Sequence, residues 1–302
     1  MRVITRLPVI AVFMVAFTAG LANGQIFVAN LLSGSVGEYT TSGATVNASF
    51  ISGLNYPLGI VTDGNGHLFA STYYGNTVGE YTTSGATVNA SLITGLFSPR
   101  WMALDGNGNL FVTEFSSDSV AEYTTSGALV RRLVVSGFQN IGGIALDGNG
   151  HLFVADDGGT TIGEYTTSGA TINASLITGL HGPWGLAYDG NGHLFVANNL
   201  GGNIGEYNLD GTPVNSSLIS GLPSPEGIAL DGHGHLFVTD ANTGTVGEYT
   251  TSGATINASL IHGLNYPEGL VVIVPEPSPT ALAVFGLVLL ASLQLQLARR
   301  AR

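Results

Sequence analysis

A unit of 42 residues, repeated six times with no insertion or deletion, constrains this chain more than any other feature. Glu-Tyr begins at Glu38, Glu80, Glu122, Glu164, Glu206 and Glu248, and a phenylalanine keeps the same step at Phe27, Phe69, Phe111, Phe153, Phe195 and Phe237. A turn glycine follows suit at Gly43, Gly85, Gly127, Gly169, Gly211 and Gly253. Repeats of this length mark arrays in which each unit buries its apolar face against its neighbours.

One unit, Pro57 to Leu96, predicts four short strands. Strand a is Gly59-Ile60-Val61-Thr62, and Asp63-Gly64-Asn65-Gly66 turns the chain into strand b, His67-Leu68-Phe69-Ala70. A polar loop precedes strand c at Val78-Gly79-Glu80-Tyr81, and Thr83-Ser84-Gly85 opens strand d from Thr87 to about Ile93. Short strands bounded by Gly, Asn, Asp and Ser are hairpin signals, and four strands in about 40 residues describe a propeller blade. In strand a the places of Gly59 and Val61 stay mostly small, whereas Ile60, Met102, Ile144, Leu186, Ile228 and Leu270 are large. Alternation along a strand puts these sets on opposite faces, so that large packs onto small between blades. The chain enters at strand b (Gln25-Ile26-Phe27-Val28) and finishes the repeats with a lone strand a (Glu268 to Val272). That strand completes the first blade and closes the ring, removing exposed edges. The expectation is an all-β, six-bladed β-propeller over residues 25–273.

The pattern from Pro183-Trp184-Gly185-Leu186-Ala187-Tyr188-Asp189 through Asn198 resembles the NHL repeat, and the resemblance covers nearly all of residues 25–273. NHL repeats often carry a basic residue before strand c. Here Ser35, Thr77, Ser119, Thr161, Asn203 and Thr245 stand there, which weakens any carry-over from RNA-binding members.

The ends read as addresses. Residues 1–24 have a signal peptide's order: Arg2 and Arg6, an apolar stretch from Pro8 to Leu21, then Ala22-Asn23-Gly24 before a mature start at Gln25. An uncleaved anchor is the alternative. Residues 274–302 hold Pro275-Glu276-Pro277, an apolar run from about Thr280 to Leu293, and Arg299, Arg300 and Arg302. With its continuation to Ala298 the run is just long enough for a transmembrane helix, its arginines cytoplasmic. That order resembles the PEP-CTERM sorting signal of bacterial exported proteins. The resemblance implies processing by signal peptidase and an exosortase-type protease, transient membrane attachment through the C-terminal helix, and a cell-surface or extracellular destination. A plain tail anchor is the simpler reading.

Composition excludes some functions. The chain has no cysteine, so disulfides and thiolate metal sites are ruled out. Between Gln25 and Ile273 three arginines stand against 19 Asp and Glu, a net of −16. Such a surface repels phosphate backbones, so nucleic acid is not an expected partner.

A site must break the sixfold sameness. The residue after the strand-a proline varies most: Leu58, Arg100, Gly142, Trp184, Glu226 and Glu268. Arg100, Trp184, Glu226 and Glu268 are therefore the ligand-binding candidates, expected as exposed loop residues around one mouth of the central channel, where changes should cost little stability. Carboxylates there suit an oxygen-loving cation such as Ca²⁺, while tolerated loop variation is the plainer account. The residues closing strand b give a second set, Glu114, Asp156, Asn198 and Asp240, as candidate metal ligands. Propeller lactonases resembling gluconolactonase hold a divalent metal with Glu, Asn and Asp at such a mouth. Against this, each side chain could simply cap its own loop. His67, His151, His193 and His235 recur at the start of strand b, and Asp231-Gly232-His233-Gly234-His235 looks metal-like only apart from the other blades; a surface turn is the expectation. Five Asn-x-Ser sequons fall in strand d, and the repeated Glu of Glu-Tyr is a blade feature. With no catalytic residues assigned, the leading expectation is a non-enzymatic, surface- or matrix-associated binding or scaffold propeller with a polysaccharide or protein ligand. The alternative is a metal-dependent lactonase or lyase at the channel mouth.

Overall fold

The computed structural model describes residues 24–135 and 138–275; the signal-peptide reading and most of the sorting-signal reading, Glu276 and Pro277 included, lie outside the described residues. No helix among the described residues is long and apolar enough to cross a membrane. Residues 24–274 form one compact unit.

That unit is all-β: six antiparallel four-stranded sheets, one per repeat. The inner strands are Pro57–Thr62, Pro99–Leu104, Ile141–Leu146, Pro183–Tyr188, Pro225–Leu230 and Pro267–Ile273, belonging to blades 2, 3, 4, 5, 6 and 1. Each packs beside the inner strands of its two neighbours, so the ring is closed. The closing strand is the expected one: Pro267–Ile273 pairs antiparallel with Gln25–Asn30, with Gln25 opposite Ile273 and Val28 opposite Leu270. Apolar side chains cross this seam as they cross the others, Ile26, Val28 and Leu270 of blade 1 meeting Ala229, Phe237 and Val246 of blade 6.

The core lies between blades. Phe27 packs with Ile60 and Leu68 of the next blade, and each of the six repeated phenylalanines is at most 1% exposed. Fully burying such a side chain stabilises by about 1.5–3 kcal/mol, so the repeat carries its largest stabilising term in every blade. The expected small-on-large contact is closer than side chains alone require. A Cβ placed on Gly185 would meet the Glu226 carbonyl oxygen at 2.1 Å, and one on Gly143 the Trp184 carbonyl oxygen at 2.2 Å. The inner strands therefore approach backbone to backbone, which only glycine permits. Blade 3 departs from this, with Trp101 in the glycine place.

The inner strands all start at one end of the axis and finish at the other. At the starting end lie the loops after strand b; at the finishing end lie the Asp-Gly-x-Gly turns. There Asp63 Oδ1 accepts the N–H groups of Asn65 and His67 while Oδ2 sits 2.9 Å from His67 Nδ1. Asp147, Asp189 and Asp231 make the same Oδ2–His contact with His151, His193 and His235. The histidines thus serve their turns, as expected.

Candidate functional site at the axial end

The ring brings Arg100, Trp184, Glu226 and Glu268 to one end of the axis, each from the first turnless residues of a different inner strand. The Arg100 guanidinium lies 4.8 Å from the Trp184 ring centroid and 3.9 Å from that of Phe115. Its Nη1 donates to Asp157 Oδ2 at 2.8 Å. Leu58 is buried beside this group, and Gly142 leaves room near Asp157, whose Cβ would stand 3.2 Å from an added one.

Expectation fails on exposure. Arg100, Glu226 and Glu268 are only 9%, 3% and 2% exposed, and Trp184 is half-buried. Six inner strands converge on a narrow axis, so a residue one place into the strand points into its neighbours, not into solvent. The premise that changes here cost little stability is thereby corrected.

Burial shapes the electrostatics. Glu226 is pushed up to about 10, first by loss of water and then by the neighbouring Glu268 carboxylate; the hydroxyl of Ser224 and the Arg100 charge oppose the rise. Glu268 is pushed up to about 8, again first by burial, with Arg100 and the nearby Trp184 indole pulling it down. The indole N–H approaches Glu268 without meeting it in hydrogen-bonding geometry. Asp157 is raised by burial although Arg100 opposes it. Three acids around one guanidinium cannot all remain charged out of water, so the group holds protons at neutral pH. Asn199 Nδ2 and Ser224 Oγ donate to Glu226 Oε1 at 2.7 and 3.2 Å. The second oxygens of Glu226 and Glu268, the Trp184 Nε1 and the Arg100 Nε are buried with no protein partner.

The second candidate set does not join this group. Glu114 accepts the Phe97 N–H at 3.1 Å and the Ser119 hydroxyl at 3.2 Å, and forms an ion pair with Arg132. Asp156 accepts the N–H groups of Gln139 and Asn140, and Asp240 those of Ser224 and Thr243. Asn198 donates to Asn203 Oδ1 at 2.7 Å. Each ties down the loops at the top of its own blade. Among the described residues no group of three or more His, Asp or Glu side chains has the spacing to hold a metal ion. Asp157, Glu226 and Glu268 are raised by burial and already face the Arg100 guanidinium, so they do not offer the charged oxygen cage that Ca²⁺ takes.

Four participants were missed in the sequence: Tyr73, Phe115, Asp157 and Asn199. They occupy one repeat position, the residue after strand b, which reads Leu31, Tyr73, Phe115, Asp157, Asn199 and Ala241. It varies as much as the strand-a position, so the same test of departure from the repeat finds it.

Fold and rim together define a six-bladed β-propeller with its non-repeating residues gathered at one axial end. The chain belongs to the virginiamycin B lyase family, whose model matches residues 6–279. None of the curated proteins compared matches the sequence significantly. Among solved structures, a chain of the nidogen/laminin complex superposes with TM-score 0.72 at 19% identity, covering 83% of this chain and 98% of that one. A catalytically inactive histidine-to-alanine variant of virginiamycin B lyase from Staphylococcus aureus, with quinupristin, gives TM-score 0.61 at 15% identity over 80% and 86%. A gluconolactonase from Xanthomonas campestris gives 0.61 at 16% over 72% and 79%. At these identities the likeness is one of fold.

Proposed function

We propose that this protein is an exported, surface- or matrix-associated propeller that binds its ligand at the axial end carrying Arg100 and does not transform it. The observation that carries this reading is where the sequence departs from its own repeat. Two positions per blade vary freely in chemistry, both lie at that end, and the side chains they supply interlock. The Asp-Gly-x-Gly turns and the Glu-Tyr strands stay nearly the same around the ring, and the residues that close strand b, though varied, serve their own loops. Export rests on the order of features in residues 1–24 and 274–302, with signal peptidase and an exosortase-type protease as processing partners and the C-terminal helix as a temporary membrane attachment.

Family membership favours a second reading, a lyase or lactonase. The Staphylococcus aureus relative loses activity when one histidine becomes alanine. In this chain four described histidines stand in the turns at the opposite axial end with His233 in a turn beside them, while His181 and His262 lie exposed in the links that enter the inner strands at the Arg100 end. Raised carboxyl groups are suited to acid–base work, but Glu226 and Glu268 are buried, and Glu226 Oε1 is already held by Asn199 and Ser224. Incubating the full chain with quinupristin and with gluconolactone, with and without Mg²⁺ or Ca²⁺, discriminates the two. No turnover above the uncatalysed rate is expected; turnover abolished by Glu226→Gln would replace the binding reading with the enzymatic one.

A further inference from the structure

The axial end bears three exposed tyrosines that the buried polar group does not use. Tyr56, Tyr74 and Tyr266 are 38%, 60% and 36% exposed and come from adjacent blades, Tyr266 from blade 1 and the others from blade 2. Tyr56 and Tyr266 each precede the first proline of an inner strand and adopt left-handed backbone, at φ 60° and 59°. That conformation is strained for a bulky side chain. Blade 5 meets it with Gly182 at φ 61° and blade 3 with Ser98 at φ 53°. Tyrosine is thus the costly choice, made twice, at places where over a third of the residue still faces solvent. A backbone outlier repeated in two blades on an aromatic residue points to function.

The rings are also held. Tyr74 stands edge-on to Tyr56 at 4.6 Å and to Tyr73 at 4.9 Å between centroids; Tyr73 leads to Phe115 at 6.0 Å, and Phe115 lies under the locked Arg100. Tyr73 N–H donates to the Tyr56 carbonyl at 2.9 Å, fixing one rim loop on the next. An aromatic surface anchored this way loses little freedom on binding. Tyr266 stands near Glu226 and Glu268, and burial followed by those two acids keeps its phenol protonated.

Resting on the binding reading above, we infer that these tyrosines form a docking surface for a neutral or N-acetylated polysaccharide chain. Flat, amphipathic rings with hydroxyl tips offer apolar faces to sugar C–H faces and hydrogen bonds to sugar hydroxyls. Charge selects within that class. The propeller has no lysine and a net of −16 over residues 25–273, so uronate- or sulfate-bearing chains are repelled.

The test is retention of the full chain on insoluble cellulose, chitin, mannan, xylan and curdlan, and its mobility in gels containing soluble glucan or polygalacturonate. Retention on at least one neutral or N-acetylated glycan is expected, with none on polygalacturonate at moderate salt. Tyr74→Ala should weaken retention at least tenfold. Tyr56→Gly should weaken it similarly while raising the melting temperature, since it relieves the left-handed strain; a purely structural tyrosine would not show that opposite pair of effects. Leu200→Ala, an exposed change on blade 5, should leave retention intact. Failure of every neutral glycan, retention on polygalacturonate, or tyrosine variants that bind as wild type would overturn the inference. A ligand of other chemistry held through Arg100 or Trp184 would overturn it too, yet would leave the binding reading standing, whereas turnover in the assay above would remove that reading itself.

Discussion

The two ends of the propeller axis are made from the same six strands and could hardly differ more. Where the inner strands start, the ring presents Leu58, Arg100, Gly142, Trp184, Glu226 and Glu268, and the layer above adds Tyr73, Phe115, Asp157 and Asn199. Where they finish, Leu104, Leu146, Tyr188 and Leu230 with Val61, Ala103 and Ala145 line an open depression of about 290 Å³. One end carries charge and is tightly engaged; the other is mostly aliphatic and loosely filled. The comparison teaches that duplication built the walls and later change was admitted where six equivalent positions converge.

Substitution at Arg100 should show the contrast most strongly. Arg100→Ala removes the one guanidinium that compensates Asp157 and Glu268 inside the ring, and unpairing buried charge typically costs about 3–5 kcal/mol. Urea denaturation at pH 7 should show a loss in that range, and a loss below about 1 kcal/mol would mean the polar end is not the engaged one.

Next in size is a dependence on pH. Folded Glu226 and Glu268 bind protons more tightly than unfolded glutamate, so their contribution is complete below about 4.5 and is lost as pH rises through about 8 and then about 10. Melting temperature should therefore fall from pH 5 to pH 10. Glu226→Gln, which keeps a neutral side chain at every pH, should flatten that fall; an unchanged slope would assign it to other groups.

At the opposite end Leu104→Ala should cost only about 1 kcal/mol. The side chain is half-buried against that open depression, well short of the 2–5 kcal/mol of an enclosed leucine. Smallest of all is His67→Asn. Blade 3 already carries Asn109 in that place, its Nδ2 donating to Asp105 Oδ2 at 2.7 Å, so the change should stay within about 0.5 kcal/mol by thermal melting.

The same contrast explains what could be read from the sequence. Strands, turns, blade number and ring closure were legible because Phe69-type and Gly85-type residues recur six times and Asp63-type residues five times in one register. The meeting of Arg100, Trp184, Glu226 and Glu268 was legible because only variation can mark a site in a repeat. Their burial was not, because a residue just inside a strand looks like a loop residue until the neighbouring backbones close to glycine-only distances. Asp156 and Asp157 show the finer limit. Adjacent and chemically alike, they part ways in the fold: Asp156 holds the N–H groups of Gln139 and Asn140, and Asp157 reaches across the ring to Arg100. A one-residue step along a strand end reverses direction, and no composition reveals which of two carboxylates turns inward.

The pairing of Gln25 with Ile273 has a bearing on how the molecule can be held. The ring's own first and last residues, Gly24 and Val274, lie on the turn side, next to each other, while the tyrosines stand at the far side. Tethering to a bead, a sensor chip or a lipid layer through either flank therefore points the tyrosine surface outward, and one short linker suffices to immobilise the ring without covering it.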